Sequence, residues 1–120
     1  YGPRQDPNSQ YSGVISKFIG KMLNKEQPIV FGDGKQTRDF VYVNDIVNAN
    51  MLAMKSKIHG KIANIGTGEE TSLLELLGTL NNILGENLKP KFKSERTGDV
   101  KYSYADISVA NYLLKYKPTT

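Results

Sequence analysis

The run Gly32-Asp33-Gly34-Lys35-Gln36-Thr37-Arg38-Asp39-Phe40-Val41-Tyr42-Val43-Asn44-Asp45 constrains the fold more than any other stretch of the chain. Two glycines around an aspartate form a turn that can enter positive φ without a steric cost. Residues 40–43 are β-branched or aromatic, which predicts a strand. Asp45 then has the chemistry of an N-cap for a helix over 46–55.

The same reasoning extends in both directions. Tyr11, Val14, Ile15, Phe18, Ile19 and Met22 recur at helical spacing and predict an amphipathic helix ending near Asn24, ahead of Pro28. Residues 28–31 read as a short strand, and residues 61–65 as another, closed by Gly66-Thr67-Gly68. Ser72 and Glu75 have capping-box spacing ahead of Leu73, Leu76, Leu77, Leu80 and Leu84, which predicts a helix. A further strand is expected over 91–95, and Asp106 is placed to cap a last helix with Ile107, Ala110, Leu113 and Leu114 facing inward. Helices alternating with short strands give an α/β class.

Composition limits the function classes. With 38% hydrophobic and 23% charged residues, the 120-residue chain reads as one ordinary globular domain rather than a disordered segment. A net charge of +4 favours anionic partners, but the lysines and arginines are scattered and lack interleaved aromatics, which argues against nucleic acid. There is no cysteine, so disulfides and thiolate metal sites are excluded and a reducing, cytoplasmic setting is expected. No apolar stretch approaches the length of a membrane helix. Tyr1-Gly2-Pro3 reads as the exit from an upstream strand, so the chain is expected to be a fragment of a longer polypeptide.

Arg38 and Arg96 carry the chemistry suited to a diphosphate, because a guanidinium can give two parallel hydrogen bonds to phosphate oxygens. On spacing alone, a surface pair with the neighbouring Asp39 or Asp99 is the more ordinary account of them. Val14, Phe18, Ile29 and Phe31 each fit an ordinary core pattern. Gly66-Thr67-Gly68 invites a dinucleotide-loop reading, but Thr71 stands where the third glycine is required, leaving a strand-to-helix turn. His59 lies in a loop without a carboxylate partner, and no metal-ligand spacing or nucleophile elbow occurs.

Three segments in order resemble the NAD-dependent epimerase/dehydratase family, the extended short-chain dehydrogenases. They are the opening YGPRQDPN, the GDGxxxRDFxYVxD run over 32–45, and Arg96-Thr97-Gly98-Asp99-Val100. The resemblance spans nearly the whole chain and matches the latter, C-terminal part of that family's subunit. It implies the nucleotide-sugar-binding part of the fold, with most of the Rossmann core and its glycine loop missing. It also implies that residues from about 38 to 58 pack on the absent cofactor domain, leaving a sticky surface here.

On this resemblance Arg38 and Arg96 grip the phosphates and ribose of a UDP-sugar, and Asp99 accepts from ribose hydroxyls. Val14, Phe18, Ile29 and Phe31 wall the uracil pocket. The tyrosine with a lysine four residues on, which shuttles the sugar proton in such enzymes, is absent: none of the seven tyrosines has that partner. The resemblance therefore implies no catalytic residue in this chain, NAD bound by the absent domain, and a homodimer for the intact enzyme.

Within the family the chain is most similar to UDP-glucose and UDP-N-acetylhexosamine 4-epimerases. The opening RQDPNSQYSGVI resembles a segment of the N-acetylhexosamine enzymes, and Ser103, four residues after Asp99, is small where glucose-restricted relatives carry tyrosine. Nucleotide-sugar dehydratases and UDP-glucuronate decarboxylases share the scaffold and remain open. A free-standing nucleotide- or protein-binding module is the reading from another class.

Overall fold

The computed structural model describes residues 1–6, 9 and 13–120. In chain order its elements are α1 (Val14–Leu23), β1 (Ile29–Phe31), β2 (Thr37–Arg38), α2 (Val43–Lys55), β3 (Thr71–Ser72), α3 (Leu73–Leu84), β4 (Lys91–Lys93) and α4 (Ser108–Leu114). The strands form two small sheets. β1 runs parallel to β4, with Val30 opposite Phe92, and β2 runs antiparallel to β3, with Arg38 opposite Thr71.

Helical periodicity explains where the main core lies. α1 turns Phe18 and Met22 inward and α3 turns Leu73, Leu76, Leu77 and Leu80 inward, with Val30 of β1 between them. The capping box of α3 is complete: Ser72 Oγ accepts from the Glu75 amide at 3.2 Å, and Glu75 Oε2 accepts from the Ser72 amide at 2.8 Å. Gly85 ends the helix in the left-handed conformation, at φ 66°. The glycine turn after β1 is docked onto α3. Gly34 has φ 77°, a Cβ on it would lie 2.8 Å from Leu74 Cγ, and the Leu74 amide donates to Gly34 O at 3.2 Å.

A second, smaller core joins α2, α4 and the C-terminal segment through Ala49, Ala110 and Tyr116. Tyr116 is fully buried, and its hydroxyl donates to Gly66 O at 2.8 Å. Burial, followed by the nearby Asp45 and Asp39 carboxylates, raises its pKa above the ordinary tyrosine value.

Several expectations are corrected here. Residues 40–43 are not a strand: 40–42 are irregular and Val43 already begins α2. A strand needs a ladder as well as propensity, and this backbone bonds to Tyr1, through Tyr1 N to Val41 O at 2.9 Å and Val43 N to Tyr1 O at 2.8 Å, while Tyr42 O already accepts from the Asp45 amide at 3.0 Å in the first turn of α2. Residues 61–65 likewise form no strand. Asp45 is not the N-cap of α2, a position held by Tyr42; it is buried in the first turn and accepts from Thr119 N at 2.9 Å and Thr119 Oγ1 at 2.7 Å.

The remaining differences are smaller. The strand expected over 91–95 is shorter, and β2 and β3 were not anticipated. Ile107 occupies the N-cap of α4, while Asp106 Oδ1 accepts from Ser108 N at 2.9 Å, a local side-chain turn. Tyr11, assigned to the first helix from its spacing, lies outside the described residues.

Candidate functional site

Seven sequence-selected residues converge on one cleft of about 420 Å³ between α1, β1, β2 and the loop after β4. Val14 and Phe18 come from α1, Ile29 and Phe31 from β1, and Arg38 from β2. Arg96 and Asp99 come from the loop, which turns on a hydrogen bond from Asp99 N to Arg96 O at 3.1 Å. Strand alternation places Ile29 and Phe31 on the same face of β1, while Val30 goes into the core. Val14 and Phe18 are one helical turn apart and share the cleft face of α1.

Arg38 and Arg96 are held in different ways. Arg38 Nη1 donates to Thr37 O at 2.7 Å and to Val100 O at 2.6 Å, and Nη2 pairs with Asp99 Oδ1. It therefore ties β2 to the loop, and the ion pair joins it to Asp99 rather than to the adjacent Asp39. The Arg96 guanidinium lies over the Phe31 ring, 3.8 Å from its centroid. Among the described residues, neither Arg96 nor Lys17, which also lines the cleft, has a carboxylate within ion-pair distance. A flat apolar slot with uncompensated cations suits an anionic ligand carrying a planar group.

Sequence reasoning missed three residues here. Lys17 lies on the face shared by Val14 and Phe18, a signal present in the i, i+3, i+4 spacing. Gln36 is buried, and its Nε2 donates to Phe31 O at 2.6 Å, drawing the two ends of the glycine turn together. Asp39 anchors a distant turn. Its carboxylate accepts from Thr67 Oγ1 at 2.6 Å and from the amides of Thr67 at 2.9 Å, Gly68 at 3.0 Å and Ala105 at 3.2 Å.

Ser103 does not join the seven. It lines a neighbouring cavity of about 350 Å³ with Asp39, Val41, Asn64, Ile65, Gly66, Tyr104 and Ala105. Asp39 borders both spaces.

The anchoring of Asp39 has an electrostatic consequence. Burial disfavours its charge, but the Thr67 hydroxyl and the Thr67, Gly68 and Ala105 amides outweigh burial and hold its pKa below the usual value. Asp45 is likewise lowered, chiefly by the Thr119 hydroxyl. Both contributions are complete above the unfolded carboxylate pKa and are lost as pH falls through the depressed folded values. The urea midpoint is therefore expected to fall progressively as pH drops below about 5. Asp45→Asn should flatten that slope relative to wild type; an unaltered slope contradicts the assignment.

Residues 1–66 match the NAD dependent epimerase/dehydratase family. The chain belongs to that family. This bears out the sequence resemblance, and the epimerase/dehydratase fold extends over the chain's whole length. It is 48% identical over 113 residues to a putative UDP-glucose 4-epimerase of Methanocaldococcus jannaschii, covering 94% of this chain and 36% of that protein. A solved UDP-N-acetylglucosamine 4-epimerase from Methanobrevibacter ruminantium, in complex with UDP-N-acetylmuramic acid, superposes with a TM-score of 0.92 at 41% identity. That match covers 99% of this chain and 38% of the other. The Thermotoga maritima UDP-glucose 4-epimerase with UDP-glucose gives the same TM-score, 0.92, at 42% identity, covering 100% of this chain and 38% of the other. The chain thus spans little more than a third of these epimerase-family relatives. Among the described residues, no helix is long and apolar enough to cross a membrane, and no acidic or histidine cluster could hold a metal ion.

Proposed function

We propose that this chain is the nucleotide-sugar-binding portion of a UDP-sugar 4-epimerase, gripping and orienting the substrate while the reaction occurs beside it. The observation that carries this is the convergence of Val14, Phe18, Ile29, Phe31, Arg38, Arg96 and Asp99 on one cleft. The uracil lies in the apolar slot, the diphosphate meets Arg38 and Arg96, and Asp99 accepts from ribose hydroxyls. Ser103 borders the adjoining cavity, which takes the sugar, and its small side chain favours an N-acetylhexosamine.

The 66–68 turn does not fit a dinucleotide. The Thr67 and Gly68 amides, which a dinucleotide pyrophosphate would need, are already donated to Asp39. NAD is therefore assigned to the part of the longer protein outside these residues. Val43, Val47, Met51 and Met54 form an exposed apolar stripe along α2, with Met54 71% exposed. The stripe supports the reading that residues from about 38 to 58 pack on that part.

Removing either arginine tests the proposal. Arg38→Ala and Arg96→Ala should each weaken UDP binding by about 1.5 to 3 kcal/mol, the scale of hydrogen bonds to charged groups. Isothermal titration of the folded variants measures this, and unchanged affinity in both would sink the diphosphate assignment.

A further inference from the structure

We propose that Asp39 is a positioning residue that sets the sugar-side wall of the site, so that its loss weakens recognition of the sugar more than recognition of the nucleotide. This deepens the function proposed above and rests on it.

The geometry is specific. Asp39 follows Arg38 directly, yet among the described residues its carboxylate forms no ion pair with an arginine and collects donors from two distant segments. Thr67 supplies a hydroxyl and an amide, Gly68 an amide, and Ala105 a third amide. One side chain on the floor of the first cleft therefore pins both the 66–68 turn and the segment carrying Ser103 and Tyr104, which form the second cavity.

The contact is close as well as polar. A Cβ on Gly66 would lie 2.4 Å from Asp39 Oδ2 and 2.7 Å from Ala105 Cβ, so the turn, the carboxylate and the 103–105 segment have no slack between them. Ile107 packs beside Gly68 and continues the seam toward α4. The groups assigned to the nucleotide do not depend on this knot. Arg38 is held by Thr37, Val100 and Asp99, and Arg96 rests on Phe31.

The test compares two ligands on the same variants. Titrating the 120-residue chain with UDP and with UDP-N-acetylglucosamine gives a ratio of dissociation constants that global destabilisation does not move. Asp39→Asn should lower the relative affinity for the sugar-bearing ligand about tenfold, the scale of one hydrogen bond to a charged group. Thr67→Val removes only the hydroxyl donor and should move the ratio in the same direction, while Thr67→Ser, which keeps that donor, should restore it. Affinities that fall in step, or a ratio that stays at the wild-type value, would overturn the positioning role. Failure of the wild-type chain to bind UDP would instead remove the nucleotide reading on which this inference stands.

Discussion

Phe18→Ala is expected to destabilise the chain by about 3 to 5 kcal/mol, the range for deleting a buried aromatic ring, and to weaken UDP binding in the same variant. Phe18 is only 2% exposed and packs with Met22, Val30, Leu73, Leu76, Leu77 and Leu80. It also lines the cleft, so the ring is shared between core and site. The cavity left behind would be bounded by α1 and α3, whose spacing is fixed by the other leucines, and little collapse can fill it. Urea unfolding measures the stability loss. Titration at a temperature where the variant is folded measures the binding loss. Phe18→Leu should recover most of the stability and less of the affinity, because an aliphatic side chain fills volume without offering a flat face to a base. A stable Phe18→Ala variant with wild-type UDP affinity would contradict the shared role.

Gly66→Ala should cost about 2 to 4 kcal/mol, combining overpacking with displaced hydrogen bonds to a carboxylate. The added methyl meets Asp39 Oδ2 at 2.4 Å and Ala105 Cβ at 2.7 Å. The Asp39 carboxylate cannot swing aside without releasing Thr67, Gly68 and Ala105, and the Gly66 carbonyl is itself held by the buried Tyr116 hydroxyl. Gly85→Ala provides a comparison: nothing lies within 4 Å of its Cβ position, so its cost comes from φ 66° alone. Thermal unfolding of the two variants distinguishes crowding from backbone strain. A smaller loss at Gly66 than at Gly85 would contradict the packing argument.

These effects show which features were legible in the sequence. α3 was readable because its capping box and leucine spacing are local, and both survive in the fold. Residues 40–43 misled because β propensity describes only one side of a strand, and the ladder partner that would complete it is not encoded nearby. β2 and β3 are two residues each, and nothing in Thr37-Arg38 or Thr71-Ser72 announces that they will pair.

The site divides in the same way. The helix and strand periods of Val14 with Phe18 and of Ile29 with Phe31 suit a core as well as a cleft wall, and only the family resemblance singled them out as lining. The family motif marked Arg38, Arg96 and Asp99, and the fold gathers them with those four. The true partners were not legible. Asp39 takes its donors from residues 67, 68 and 105, and Asp45 from Thr119, all separated widely in sequence. Arg38 looked equally able to pair with Asp39, and only the approach of the 96–100 loop makes Asp99 its partner. Ser103 was singled out by its family position four residues after Asp99, and the chain carries it past Asp39 into the adjoining cavity.

The most direct test of the account is an amide chemical-shift map of the 120-residue chain titrated with UDP. The nucleotide assignment predicts that the largest changes fall together on Val14, Phe18, Ile29, Phe31, Arg38, Arg96 and Asp99, with the exposed face of α2 unaffected. Changes centred on α2 or α4, or no saturable change at all, would contradict it.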